Sequence, residues 1–166
     1  MSDRALRAAI LCLSVLGAAV AGYLTAAHLL HVQVACATGG CETVQTSRYA
    51  EVAGIPVAAG GLACYLLVAA STIRRTDLVR ALGFAATATG FDVSMVLLYV
   101  QARVLHAFCQ WCLTSDGILT VLVPLTLLRA LRGAPPDAGP SSPARSLTAR
   151  APARRGARRL PRRSAG

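Results

Sequence analysis

AAILCLSVLGAAVAGYLTAAHLLHVQV, residues 8–34, runs for 27 residues without a formal charge. A helix crossing the hydrocarbon core of a bilayer needs about 20 apolar residues, so this stretch is long enough to span. Three more segments follow the same pattern. Residues 52–73 carry no charge, residues 81–102 carry only Asp92, and residues 104–128 carry only Asp116. None alternates apolar and polar residues with period two, and single strands cannot cross lipid, so all four read as helices. The expected fold class is an all-α membrane protein: a four-transmembrane-helix bundle over residues 1–132, with an outer loop between helices one and two. Small residues recur where helices can approach, at Gly17, Ala18, Ala21 and Gly22, at Gly60, Gly61 and Ala63, and at Gly83, Ala86, Thr87 and Gly90.

Composition agrees. The chain is 55% hydrophobic and only 14% charged, yet its net charge is +10. Every basic residue is Arg, and the arginines are segregated: 15 of 17 flank one side of the four segments, and only Arg48 and Arg103 fall on the other. The positive-inside rule then predicts both termini in the cytoplasm, with residues 33–54 and a short turn at 103–107 outside. A signal-peptide reading of residues 1–21, with small residues Ala19 and Ala21 at a cleavage site, competes, but the apolar run continues well past it. Residues 133–166, rich in Pro, Ser, Ala and Arg, lack apolar periodicity. They are expected to be a disordered cytoplasmic tail attracted to anionic lipid, with no nucleic acid expected, because nothing aromatic is interleaved with the arginines.

This topology sorts the six cysteines. Cys36 and Cys41 lie in the outer loop and enclose a Gly39-Gly40 turn that can close a disulfide. Cys109 and Cys112 form a C-x-x-C at the outer end of the fourth span, where a helix N-terminus favours the thiolate. Cys12 and Cys64 fall within spans and read as small packing residues. Two dithiols on one membrane face suggest a relay in which thiolate attacks disulfide. Zinc held by Cys36 and Cys41 with His28 and His31 is the competing reading; no second C-x-x-C stands at finger spacing, and no metal is expected.

Asp92 and Asp116 are the formal charges inside the spans. Such acids are costly in lipid and functional by default. Asp116 follows Cys112 by four residues and shares its helix face. At least one of these acids is expected to be protonated and to act as a hydrogen-bond donor or proton relay.

Gly40-Cys41-Glu42-Thr43-Val44, Ser47-Arg48-Tyr49-Ala50 and Gly54-Ile55-Pro56, followed by Phe108-Cys109-Gln110-Trp111-Cys112, resemble in order and spacing the signature of bacterial vitamin K epoxide reductase homologues, over roughly residues 8–132. The resemblance implies a four-helix bundle around a quinone, menaquinone or ubiquinone, as electron acceptor. It implies an enzyme that reoxidises a separate thioredoxin-fold partner and so supports disulfide formation outside the cytoplasm. Carried over, Cys36 exchanges with the partner, Cys41 attacks Cys109, Cys112 faces the quinone, and Ser47 helps hold the loop. Cys112, Asp116, Phe108 and Trp111 are the expected quinone pocket. Vertebrate members carry a Tyr where this chain has Asp116. That difference counts against reduction of a vitamin K epoxide, which stands only as an alternative, as does a non-catalytic membrane protein binding metal or a partner.

Overall fold

The computed structural model describes residues 2–73 and 76–132. The expected tail at 133–166, and Arg74 and Arg75, lie outside the described residues.

Helix α1 (Asp3–Leu29) opens at Ser2, whose hydroxyl accepts the Ala5 N–H at 3.3 Å, with Asp3 in the positive first turn. It stops where His31 turns left-handed at φ 53°. The outer loop contains a five-residue helix, α2 (Cys41–Gln45), and a small hairpin of β1 (Glu51–Val52) and β2 (Ile55–Pro56). Helix α3 (Val57–Ser71) follows directly. Helix α4 (Asp77–Val100) runs into a π-helical turn at Gln101–Leu105. Helix α5 (Gln110–Leu131) completes the set.

Among the described residues three helices are long and apolar enough to cross a membrane: Asp3–Leu29, the continuous Asp77–Leu105, and Gln110–Leu131. The second segment differs from expectation. Its first five residues are the hairpin, because Ala53 and Gly54 both take positive φ and reverse the chain. That leaves 15 helical residues, about 22 Å at helical rise. The expected turn at 103–107 also shifts: the helix continues through Arg103 as a π turn and ends at His106, φ 49°.

The helices close a ring, α1 against α3 and α5, and α4 against α3 and α5. Its core is Leu6, Ile10, Ala21, Tyr65, Val68, Ile118, Leu119 and Leu122. Small residues set the approaches. A Cβ on Gly17 would meet the Tyr65 ring at 2.3 Å, on Gly83 the Ser71 hydroxyl at 2.6 Å, and on Gly90 the Cys64 sulfur at 2.9 Å. Gly60 instead has open space and faces the cavity described below.

One end of the ring is tied by arginine. Buried Arg129 donates to the Ser71 carbonyl at 2.7 Å and to its hydroxyl at 3.2 Å. Arg7 donates through Nε to the Thr72 carbonyl at 3.0 Å. Both guanidinium groups meet the negative end of α3, where carbonyls lack helical partners. Large apolar side chains such as Val15, Leu66, Val96 and Val121 point outward, as on a protein solvated by lipid.

Candidate functional site

The outer loop is stitched to the N-terminus of α5. The Ala35 carbonyl accepts from Trp111 Nε1 at 2.7 Å and from Gln110 Nε2 at 3.4 Å, while Ala35 N–H donates to the Tyr23 hydroxyl at 3.0 Å. Ala37 N–H donates to Gln110 Oε1 at 3.0 Å, and the Thr38 hydroxyl donates to the Phe108 carbonyl at 3.0 Å. Gly40 then presses on the Phe108 backbone; a Cβ there would sit 2.6 Å from the Phe108 oxygen. The residues immediately before Cys41 and Cys109 are thereby in backbone contact.

Within the loop, Cys36 and Cys41 are joined by a disulfide. Cys36 is partly exposed, whereas Cys41 and Cys109 are 0% exposed. Cys109 and Cys112 are thiols in this structure. Cys109 caps α5: its sulfur accepts the Cys112 N–H at 3.3 Å and the Cys112 S–H at 2.8 Å. The Cys112 S–H bond is the main force pulling the Cys109 thiol down to about 7; burial opposes it, and the backbone N–H groups of Cys112 and Trp111 assist.

Beneath this pair lies a cavity of about 700 Å³. Its walls are apolar for the most part, from Val20 and Leu24 on α1, Val57 on α3, and Val93 and Leu97 on α4. The polar groups reaching it include Ser47, Ser94, Gln101, Cys112, Ser115 and Asp116. Asp116 Oδ1 accepts from the Ser94 hydroxyl, while Oδ2 is buried with no partner. Tyr65 donates to the Ser115 carbonyl at 3.0 Å and pairs with its hydroxyl at 2.8 Å. Ser47 lines the cavity and donates to the Val44 carbonyl at 2.7 Å.

Several expected positions need correction. Trp111 and Phe108 are not on the cavity wall. Trp111 packs against Tyr23 with ring centroids 5.2 Å apart and planes tilted by 59°, and clasps the loop, and the Phe108 side chain is exposed. Asp92 is exposed on the outward face of α4, away from Asp116; the acid's partner is Ser94. Cys12 faces outward rather than packing inside. Cys64 reaches the cavity, donating its S–H to the Ala86 carbonyl at 3.1 Å. His28 pairs with Glu51 at 2.7 Å.

Gln101 was not expected. It is 2% exposed, lines the cavity, and its Oε1 accepts the Cys109 N–H at 2.8 Å. An uncharged polar residue at the very end of an apolar span was the available signal.

The arrangement suits a flat, mostly apolar molecule with hydrogen-bonding oxygens. A quinone fits this lining: the apolar walls would hold its ring and chain, and Asp116 and Cys112 would be among the polar groups holding its oxygens.

Disulfide, adjacent dithiol and apolar cavity together define a thiol–disulfide oxidoreductase built into membrane helices. A model of the vitamin K epoxide reductase family matches residues 8–127, more than half the chain. The chain belongs to that family, whose members are quinone-linked disulfide oxidoreductases of membranes.

Proposed function

We propose that this protein reoxidises a separate thioredoxin-fold partner outside the cytoplasm and passes the electrons to a membrane quinone. The order of the four cysteines, from part-exposed Cys36 through buried Cys41 and Cys109 to Cys112 on the cavity wall, carries this reading. Helix α3 forms the fourth crossing, with the hairpin and Thr72–Ile73 extending its apolar length. The arginine distribution supports a topology with both termini in the cytoplasm.

The steps follow from thiol exchange. A partner thiolate attacks Cys36, releasing Cys41 thiolate, and the partner's second thiol displaces Cys36, leaving with the new disulfide. Cys41 then attacks a Cys109–Cys112 disulfide at Cys109 and frees Cys112. Cys36 attacks Cys41, restores the loop disulfide and frees Cys109. Closing Cys109–Cys112 again releases two electrons and two protons. A membrane quinone held in the cavity would supply the acceptor for both, being reduced to quinol. The net change is partner dithiol plus quinone to partner disulfide plus quinol. Asp116, beside Cys112 and in hydrogen bond with Ser94, is placed to hold and hand on one of the protons. Ser47 holds the loop end of the cavity.

The test is reconstitution in lipid vesicles with menaquinone or ubiquinone and a reduced thioredoxin-fold protein. Quinone-dependent oxidation of that protein is expected, with no turnover for Cys109→Ala or Cys112→Ala. Stoichiometric zinc retention without quinone dependence would overturn the reading.

A further inference from the structure

We infer that Gln101 is the positioning residue that sets Cys109 for exchange with Cys41, an inference that rests on the relay reading above.

The Cys109 backbone N–H is buried at the start of α5, where the helix offers it no carbonyl. Burial without a partner is costly for such a group. Gln101 supplies the partner at 2.8 Å, eight residues earlier in the chain. The π turn makes this reach possible: it carries the chain past Gln101 to the left-handed His106, and Ala107 N–H returns to the Gln101 carbonyl at 3.2 Å. One residue therefore fixes the connection twice, by backbone to Ala107 and by side chain to Cys109.

The donor on Cys109 also settles the orientation of the amide. Its oxygen must face Cys109, so its nitrogen points away from that N–H. Gln101 does not touch the Cys109 sulfur; Cys112 does. The Gln101 bond holds the backbone from which that sulfur hangs. The same backbone is held from the other side by the Thr38 bond to Phe108 and by Gly40. Cys109 is thus clamped between Gln101 and the loop that carries Cys41. Removing the Gln101 bond leaves the loop side intact and lets the Cys109 side drift.

The test uses the full chain with Cys36→Ala and Cys112→Ala, so that Cys41 and Cys109 are the two thiols that pair. Diamide drives their oxidation, and thiol trapping with mass mapping follows the Cys41–Cys109 bridge without added quinone. Gln101→Met keeps the side-chain length and removes the acceptor. It is expected to slow bridge formation about tenfold, roughly the value of one buried hydrogen bond. In the otherwise wild-type chain, kcat should fall by the same ratio, with the Cys36–Cys41 disulfide still closed. A bridge forming at the parental rate in Gln101→Met overturns the inference, as does a raised quinone KM with unchanged bridge rate. Failure of the bridge in the parent itself would instead sink the relay.

Discussion

Gly40 and Phe108 are in such close contact that a methyl group on Gly40 would lie 2.6 Å from the Phe108 carbonyl oxygen and 2.7 Å from its nitrogen. Gly40 has an ordinary right-handed backbone, φ −94°, so the demand for glycine is one of space alone. Each residue precedes a cysteine. The Gly40→Ala substitution should lift Cys41 off Cys109 and slow exchange between the loop and the C-x-x-C about a hundredfold, the scale for a displacement near 1 Å. Quenched-flow thiol trapping measures this, and an unchanged rate would show that the two pairs do not meet across this contact.

The Cys109 thiol should titrate near 7, well below its ordinary 9.0. A lowered value means the thiolate is present above that pH and lost as pH falls through it. Because Cys112 S–H is the largest cause, Cys112→Ala should move the midpoint upward. Ultraviolet thiolate absorbance can follow it, with Cys12 and Cys64 replaced by Ala and the loop disulfide closed. A midpoint that stays put would refute the assignment.

Asp116→Asn keeps an acceptor for Ser94 but has no acidic proton to hand on. Quinone-dependent turnover should drop about a hundredfold, a common value for a lost general acid. Oxidation of the Cys109–Cys112 pair by diamide should be unaffected. Turnover and pH profile equal to the parent's would remove Asp116 from the proton path.

Gly17→Ala drives a methyl group into the Tyr65 ring, 2.3 Å from its nearest atom. Overpacking of this kind costs about 2 kcal/mol. It also pushes the Tyr65 hydroxyl off Ser115, next to Asp116. Unfolding in detergent should report the loss, and Tyr65→Leu in the same chain should recover part of it. Stability equal to wild type would mean that α1 and α3 have room to separate.

Much of this architecture could be read directly from residue order. A charge-free run as long as residues 8–34 has few fates besides a buried or spanning helix, and α1 fills most of it. Asp116 shares a face with Cys112 because four residues nearly complete a helical turn, and both reach the cavity. The misplacements have equally simple causes. Trp111 is one residue from Cys112, about 100° around the helix, so adjacency in a motif put it on the wrong side. Ser94 faces Asp116, and two residues back is about 200° of rotation, which turns Asp92 outward. The apolar residues Val52, Ile55 and Pro56 read as helix because apolar content alone does not distinguish a short hairpin; the positive φ of Ala53 and Gly54 decides it. Gln101 went unseen because its partner is a backbone N–H, brought within reach only by the π turn.

The zero exposure of Cys41 and Cys109 has a bearing on electrical leakage. Small soluble reductants such as glutathione are everywhere in biology, and a thiol relay open to them would drain reducing equivalents into the quinone pool without making any useful disulfide. Here Cys36 is the part-exposed member of the loop disulfide, while Trp111 holds the loop at Ala35 and Gln101 holds the backbone of Cys109. In the proposed relay the clasp would act as insulation: a reductant would have to dock well enough to deliver a thiolate to Cys36, which favours proteins of complementary shape over free thiols.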